Sequence, residues 1–479
     1  MQRFALAAAL LMPVVIDGAF TPVPAESITE VLIAQDKKSD STPLAIKDID
    51  RLSKKVKQAK AAGDYQKAIE ITKSILQLQE KELGAEHLDT ADSLNSLAIM
   101  YVRQNLYSKA EPLYLRAISI YENAKGLEHT DTAITLGNLA HMYSDQGLYN
   151  KAEPLYLRAL AITEKVLGAE HLGTALNLNS LALLYQDQGL YNKAEPLYIR
   201  ALAIREKVLG EEHPRTSISL NNLALLYQDQ GLYNKVEPLY LRALAIMEKV
   251  LGAEHPTTAN TFNNLALLYQ VQGLYNKAEP LLVRALAIRE NVLGAEHPTT
   301  ANSLNNLALL YQVQGLYNKA EPLIVRALSI REKVLGAEHP STSTTLNNTA
   351  LLYKKQGLHS KAEPLYQRAL AINEKVLGAE HPSTATSLHN LALLYQYQGL
   401  YGKAEPLVRR ALDIEFTLIQ RQAPYLALSD RQSFVNKLGY TYEIAFSAAA
   451  RGESGARLAM FSRLNRQGLL EEIEKRQAQ

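Results

Sequence analysis

Apolar and polar residues alternate in this chain on two length scales at once. The short scale is helical. Leu220, Leu223, Ala224 and Tyr227 are three or four residues apart, so at roughly 100° per residue they share one arc of a helix, while Asn221, Asn222, Leu225, Gln228 and Asp229 share the opposite arc. The long scale is a period of 42 residues that neither gains nor loses a residue at any step. Three markers hold the register: a His at 87, 129, 171, 213, 255, 297, 339 and 381, a Glu-Pro pair from Glu111-Pro112 to Glu405-Pro406, and a Gly from Gly147 to Gly399.

A fixed period of this size means stacked supersecondary units, each contacting its neighbours and none able to bury its apolar face alone. Each unit reads as two helices. The first, for example Thr257 to Gln270, is expected to open after His255-Pro256 with Thr as its cap and to close at Gly273. The second is expected to open on the capping-box spacing Asn276-Lys277-Ala278-Glu279 and to run to about Leu293-Gly294, with Pro280 as a helix-start device. The array predicts an all-α solenoid: a divergent first repeat at 48–88, eight clear copies over 89–418, and a C-terminal helical pair at 419–479. That pair, Ser429 to Ala450 and Ala456 to about Lys475, is expected to cap the end of the stack.

Composition adjusts the picture in three places. The formal charge of +2 on 479 residues gives no overall preference for nucleic acid or an anionic membrane. The absence of Cys removes disulfides, thiolate zinc sites and cysteine nucleophiles together. The start reads as a signal peptide over 1–25: Arg3, the apolar run Phe4 to Ile16, then Val23-Pro24-Ala25 at a small-residue cleavage site. A polar linker over 26–47 follows, so the chain is expected to be exported to a periplasmic or extracellular space, or to be cytoplasmic if that signal does not function.

The spacing Leu220, Leu223, Ala224, Tyr227, Gly231, Tyr233, Tyr240, Ala243, Leu244 resembles the tetratricopeptide signature, and the 42-residue form resembles its kinesin light chain subtype. The resemblance implies a right-handed superhelix of antiparallel helix pairs whose first helices line a concave groove. It covers 85–418 strongly and 48–84 weakly. On that groove the polar arc would present Asn95, Asn138, Asn179, Asn221, Asn222, Asn263, Asn264, Asn305, Asn306, Asn347, Asn348, His389 and Asn390, with Gln228 one turn on. Asn amides both donate and accept, which suits the backbone of an extended peptide of any sequence. Leu225, Leu267 and Leu309 are expected to lie among them uncovered. The other reading of the amides is a ladder that fixes repeat register. One turn further the residue changes from Arg103 through Asp145, Asp187 and Asp229 to Val271, Val313, Lys355 and Tyr397, a grading from acidic to apolar to basic.

No cofactor, metal or enzyme is expected. The His residues lie one per repeat, about 10 Å apart, whereas zinc ligands must all sit about 2 Å from one ion. The repeated Arg, from Arg116 to Arg410, follows the repeated Glu by five residues and suits pairing with Glu or with the adjacent repeat better than an anion ladder. Gly452-Glu453-Ser454-Gly455 lacks the nucleophile-elbow order. Leu428-Ser429-Asp430-Arg431-Gln432 and the stretch from Ala456 to Leu470 resemble the segment preceding the caspase-like CHAT domain in bacterial repeat proteins. The leading expectation is thus a scaffold for a peptide or protein partner. The alternatives are the recognition arm of a CHAT-type cysteine peptidase and a kinesin-type motor adaptor, the latter opposed by the export-like start.

Overall fold

The computed structural model describes residues 44–61, 64–422, 425, 426 and 430. Among them eighteen helices follow one another without a strand. They are α1 Leu44–Ala61, α2 Tyr65–Glu82, α3 Leu88–Arg103, α4 Tyr107–Lys125, α5 Thr130–Asp145, α6 Tyr149–Val166, α7 Leu172–Asp187, α8 Tyr191–Leu209 and α9 Pro214–Asp229. There follow α10 Tyr233–Leu251, α11 Pro256–Val271, α12 Tyr275–Leu293, α13 Pro298–Val313, α14 Tyr317–Val334, α15 Pro340–Lys355, α16 His359–Val376, α17 Pro382–Tyr397 and α18 Tyr401–Gln422. Helix α1 takes in residues 44–47, which the sequence reading placed in the linker. The expected signal peptide lies outside the described residues, as does the C-terminal pair apart from Asp430.

The chain forms two compact units. The first gathers the described residues up to Tyr185 together with Pro196–Val208; the second gathers Gln186–Glu195 and the described residues from Leu209 onward. In each, consecutive helices pack antiparallel as the repeat predicts, and first helices of successive repeats also touch: α3 on α5 in the first unit, α9 on α11, α11 on α13, α13 on α15 and α15 on α17 in the second. The core of a repeat is small and apolar. Ala259, Phe262, Ala285 and Ile288 form one cluster, and the copy one period on is Ala301, Leu304, Ala327 and Ile330. Alanine at these crossings lets helix axes approach at the short end of the ~8–10 Å range, and Tyr240 and Tyr366 fill the gaps between layers.

Three local expectations are corrected. The first helix is capped by the repeated His, not by Thr. His255 sits extended before α11 and its Nδ1 accepts the Thr257 N–H at 3.2 Å; the same bond closes at His297 (3.1 Å) and His381 (3.1 Å). The Thr one residue further works backward: Thr258 Oγ1 donates to Gly252 O at 2.9 Å, tying the cap to the preceding turn. The second helix has no capping box, since Leu274 precedes α12 without a side-chain cap bond and Asn276 is already inside the helix. Glu279 reaches the next repeat instead, accepting from Tyr311 Oη at 2.7 Å. Pro280 lies inside α12 beyond the first turn, where its missing N–H forgoes a bond to Asn276 O. Between the two helices Gly273 takes φ +74° and Leu274 N–H bonds back to Tyr269 O at 2.8 Å, a Schellman-type closure. Asn105, which stands in place of that Gly in the first of the clear copies, does the same at φ +57°.

Polar groups stitch neighbouring repeats together at fixed offsets. Arg326 meets Glu290 at 2.6 Å and Arg368 meets Glu332 at 2.5 Å, each pair spanning adjacent repeats, so the repeated Arg is a seam residue. Tyr227, Tyr269 and Tyr395 each donate to a Glu of the preceding repeat at 2.7–2.8 Å, while Lys235, Lys277 and Lys403 lie 4.4–5.0 Å over the same rings. Burial, with that bond to Glu195, pushes the Tyr227 phenol up to about 12.

A buried position near the end of each second helix escaped the sequence reading. Arg289 bonds Asn260 of its own repeat at 2.6 Å and Ser303 of the next at 2.7 Å; Arg331 bonds Asn302 and Thr345 at 2.7 and 2.6 Å. Asn373 bonds Ser387 at 2.9 Å from the same place. Residue and partners change together, so each interface carries its own polar key.

Candidate functional site

The first helices of the second unit carry the strip on which the sequence reading placed a groove. Its residues fall where expected along the chain: Asn221, Asn222, Leu225 and Gln228 on α9, Asn263, Asn264 and Leu267 on α11, Asn305, Asn306 and Leu309 on α13, Asn347 and Asn348 on α15, Asn390 on α17. Asn179 lies on α7, among the residues of the first unit.

Depth divides them. Asn221, Leu225, Gln228, Asn347, Asn348 and Asn390 are half-buried, while Asn222, Asn263, Asn264, Asn305 and Asn306 are buried. Leu267 and Leu309, expected to lie uncovered, are 7% and 4% exposed. A helical-wheel argument sees one helix and misses the cover that neighbouring repeats supply when first helix packs on first helix.

The amide N–H groups are largely spent along the stack. Asn348 Nδ2 donates to Asn305 Oδ1 at 2.9 Å, Asn347 Nδ2 to Ser387 Oγ at 3.3 Å and Asn221 Nδ2 to Thr261 Oγ1 at 3.5 Å, while Asn263 Nδ2 returns to Ala259 O at 2.9 Å. In the first unit Asn138 and Asn95 make the same ladder step at 3.1 Å. The oxygens differ. Oδ1 of Asn221, Asn263 and Asn347 and Oε1 of Gln228, Gln270 and Gln312 are buried and accept no hydrogen bond among the described residues. A buried amide oxygen left unmet costs about 1–3 kcal/mol.

The charge grading is present in space as well. Asp229 is exposed, Val271 is 41% exposed, Lys355 is exposed and Tyr397 is 76% exposed. At the basic end Lys354 stands where Gln228, Gln270, Gln312 and Gln396 stand in the other repeats of the unit. Burial, and then the neighbouring Lys355, lowers its ammonium to about 8, and among the described residues neither lysine has an ion-pair partner. His389 takes the place of Asn there; burial first, and Lys354 second, lower it to about 3, so it is neutral at pH 7. Among the described residues no helix is long and apolar enough to cross a membrane.

Comparison with known proteins agrees with this geometry. The family model described as Tetratricopeptide repeat matches residues 58–123, 131–189, 176–249, 217–291, 257–321, 299–375 and 350–414. Solved structures include the kinesin light chain nearly identical TPR-like repeats of Podosopora anserina, at 33% identity over 43% of this chain and 98% of that one, TM-score 0.37. BtubC (BKLC) from P. vanneervenii is 26% identical over 52% of this chain and 92% of that one, TM-score 0.37. A Rap protein complexed with Competence and Sporulation Factor shares the fold at 17% identity, over 78% of this chain and 100% of that one, TM-score 0.52. Among curated proteins none matches. Seven matches to one family model, laid over helix pairs that repeat every 42 residues, show that this chain belongs to the tetratricopeptide repeat family in its kinesin light chain-like form.

Proposed function

We propose that the first-helix strip of the second unit holds an extended peptide segment of a partner protein, with the partner's N–H groups meeting the unmatched oxygens of Gln228, Gln270 and Gln312. The supporting observation is that Oε1 of Gln228, Gln270 and Gln312 recurs on the strip without a donor among the described residues, while Asn347 and Asn348 spend their N–H groups on adjacent repeats. Such acceptors read backbone and not side chains, so selectivity falls to the graded residues. Asp229 would favour a basic side chain at one end, Val271 and Val313 an apolar one in the middle, and Lys354 with Lys355 an acidic one at the other. The reaction catalysed is none: recognition is the whole of its chemistry.

A peptide array of random twelve-residue sequences, probed with the full chain, tests this reading. Bound sequences should carry an acid toward one end and a base toward the other. Replacing Gln228, Gln270 and Gln312 together with Leu should weaken those spots at least tenfold; equal binding by wild type and variant would refute the assignment.

The N-terminal run Phe4 to Ile16 and the Val23-Pro24-Ala25 site support export of the scaffold. Fusion of residues 1–47 to a phosphatase active only outside the cytoplasm should give an active enzyme, and an inactive fusion would place the protein inside. The reading as recognition arm of a CHAT-type peptidase rests on residues 428–470, which apart from Asp430 lie outside the described structure.

A further inference from the structure

Where α15, α16 and α17 meet, the second unit departs from its own repeat at several positions together. Lys354 stands where the other copies have Gln228, Gln270, Gln312 and Gln396, and Lys355 where they have Asp229, Val271 and Val313. His359 opens α16 where Tyr233, Tyr275, Tyr317 and Tyr401 open the equivalent helices, and on α17 His389 takes the place of Asn347. Contacts at the same offsets elsewhere in the unit say where these side chains go. Gln186 Nε2 donates to Asp229 Oδ2, 43 residues on, at 3.0 Å, and Lys354 stands at that same spacing before Tyr397. Tyr191, at the place of His359, is pushed up to about 12 by burial first and then by Asp229 and Asp187, so residues one repeat apart flank it. Lys355 and Tyr397 flank His359 in the same way, and the Tyr397 ring lies there with its centroid 6.4 Å from that of the imidazole.

The cluster so formed is cationic and unanswered. Burial, and then the like charge of Lys355, lowers Lys354; burial lowers Lys355. Among the described residues no carboxylate pairs with either. His389, buried beside Lys354, is neutral at pH 7 and brings no charge. His359 Nδ1 is buried and has no hydrogen-bond partner among the described residues, while Tyr397 stands open to solvent. Two ammoniums side by side without a counter-ion repel each other, and partial burial strengthens the repulsion. An anion of more than one charge would relieve both.

We propose that Lys354, Lys355 and His359 bind a phosphoryl group carried on a side chain of the partner segment, beside the ring of Tyr397. A phosphate monoester brings a charge of about −1.5 to −2 at pH 7 and three acceptor oxygens. Those oxygens match two ammoniums and an Nδ1–H of His359, and lysine meets phosphate as a compact point charge. A single carboxylate has one charge and two oxygens, which leaves one lysine unanswered. The exposed Tyr397 ring offers an apolar face to the arm that bears the group. The choice of carrier rests on the peptide-strip reading, since Lys354 continues the row of Gln228, Gln270 and Gln312; the anion site itself does not.

The anion site is tested first without a peptide. Inorganic phosphate and acetate are titrated into the full chain at pH 7 and equal ionic strength, with calorimetry as the readout. Phosphate should bind at least tenfold more tightly than acetate. Lys354→Gln and His359→Tyr each install the residue of the neighbouring repeats, and each should weaken phosphate at least tenfold with the helical circular dichroism unchanged; Gln270→Leu should leave phosphate binding as it was. Equal binding of phosphate and acetate, or phosphate binding indifferent to Lys354→Gln, would overturn the site. A peptide selected on the array is then made with Glu or with phosphoserine at its acidic position, and the phosphorylated form should bind at least tenfold more tightly. Parity of the two would overturn the phosphoryl assignment. Failure of the strip reading looks different: no peptide binds while inorganic phosphate still does, which overturns the peptide carrier and leaves the anion site standing.

Discussion

The seam between repeats and the strip along the first helices are built from the same few residue types, yet they behave oppositely. On the seam the caps and pairs that repeat are met: His caps α11 and α13, Arg326 meets Glu290, Tyr311 meets Glu279. On the strip Oε1 of Gln228, Gln270 and Gln312 repeats and accepts no hydrogen bond among the described residues, while the residue one turn on changes from Asp229 to Val271 to Lys355. Repetition with satisfaction marks structure. Repetition without it, beside a position that varies, is what the proposed peptide strip rests on.

The comparison is sharpest where the strip itself departs from the pattern. His389 stands where Asn221, Asn263, Asn305 and Asn347 stand elsewhere, buried and beside Lys354. Its folded pKa of about 3 lies below the unfolded 6.5, so between those values the unfolded chain takes up a proton that the folded chain refuses. Stability should therefore fall as pH drops from about 6.5 toward 3, by roughly 4 kcal/mol in all. Urea unfolding across that range should show the loss, and His389→Asn should flatten most of it.

On the seam a cap is worth less than a buried titration. His297→Ala removes the acceptor of the Thr299 N–H and should cost about 1 kcal/mol. Tyr311→Phe deletes the hydroxyl bonded to Glu279 and should cost about 1 kcal/mol or slightly less. Arg326→Gln removes a partly exposed ion pair and should cost at most about 0.5 kcal/mol, less still in high salt. Chemical denaturation at two ionic strengths ranks the three; an Arg326 effect above that of Tyr311 would reverse the account of the seam.

How much of this was legible beforehand depends on whether a feature lives within one helix or between several. The helix pairs, the tyrosine and alanine core and the neighbour-repeat pairing of Arg follow from period and spacing, and the structure has them where expected. The caps were misread because Thr and Asn are the ordinary N-cap residues, and an imidazole Nδ1 serving as acceptor leaves no mark in composition. Glu279 looked local because it stands three residues after Asn276; its partner Tyr311 is a repeat away. Arg289 and Arg331 passed unnoticed because arginine is seldom buried unless paired, and their partners lie on two other helices. Within the strip the residues were legible and their depth was not, since the cover over Leu267 and Leu309 comes from packing between repeats.

The most direct test of the central claim is the stability of the chain carrying Gln228→Leu, Gln270→Leu and Gln312→Leu together, measured beside its peptide binding. If those oxygens are idle in the free protein, their removal leaves the melting temperature unchanged or raises it by a few degrees, while peptide capture falls at least tenfold. A melting temperature lowered in proportion to lost binding would show that the oxygens hold the repeats together, and the distinction between seam and strip would fail.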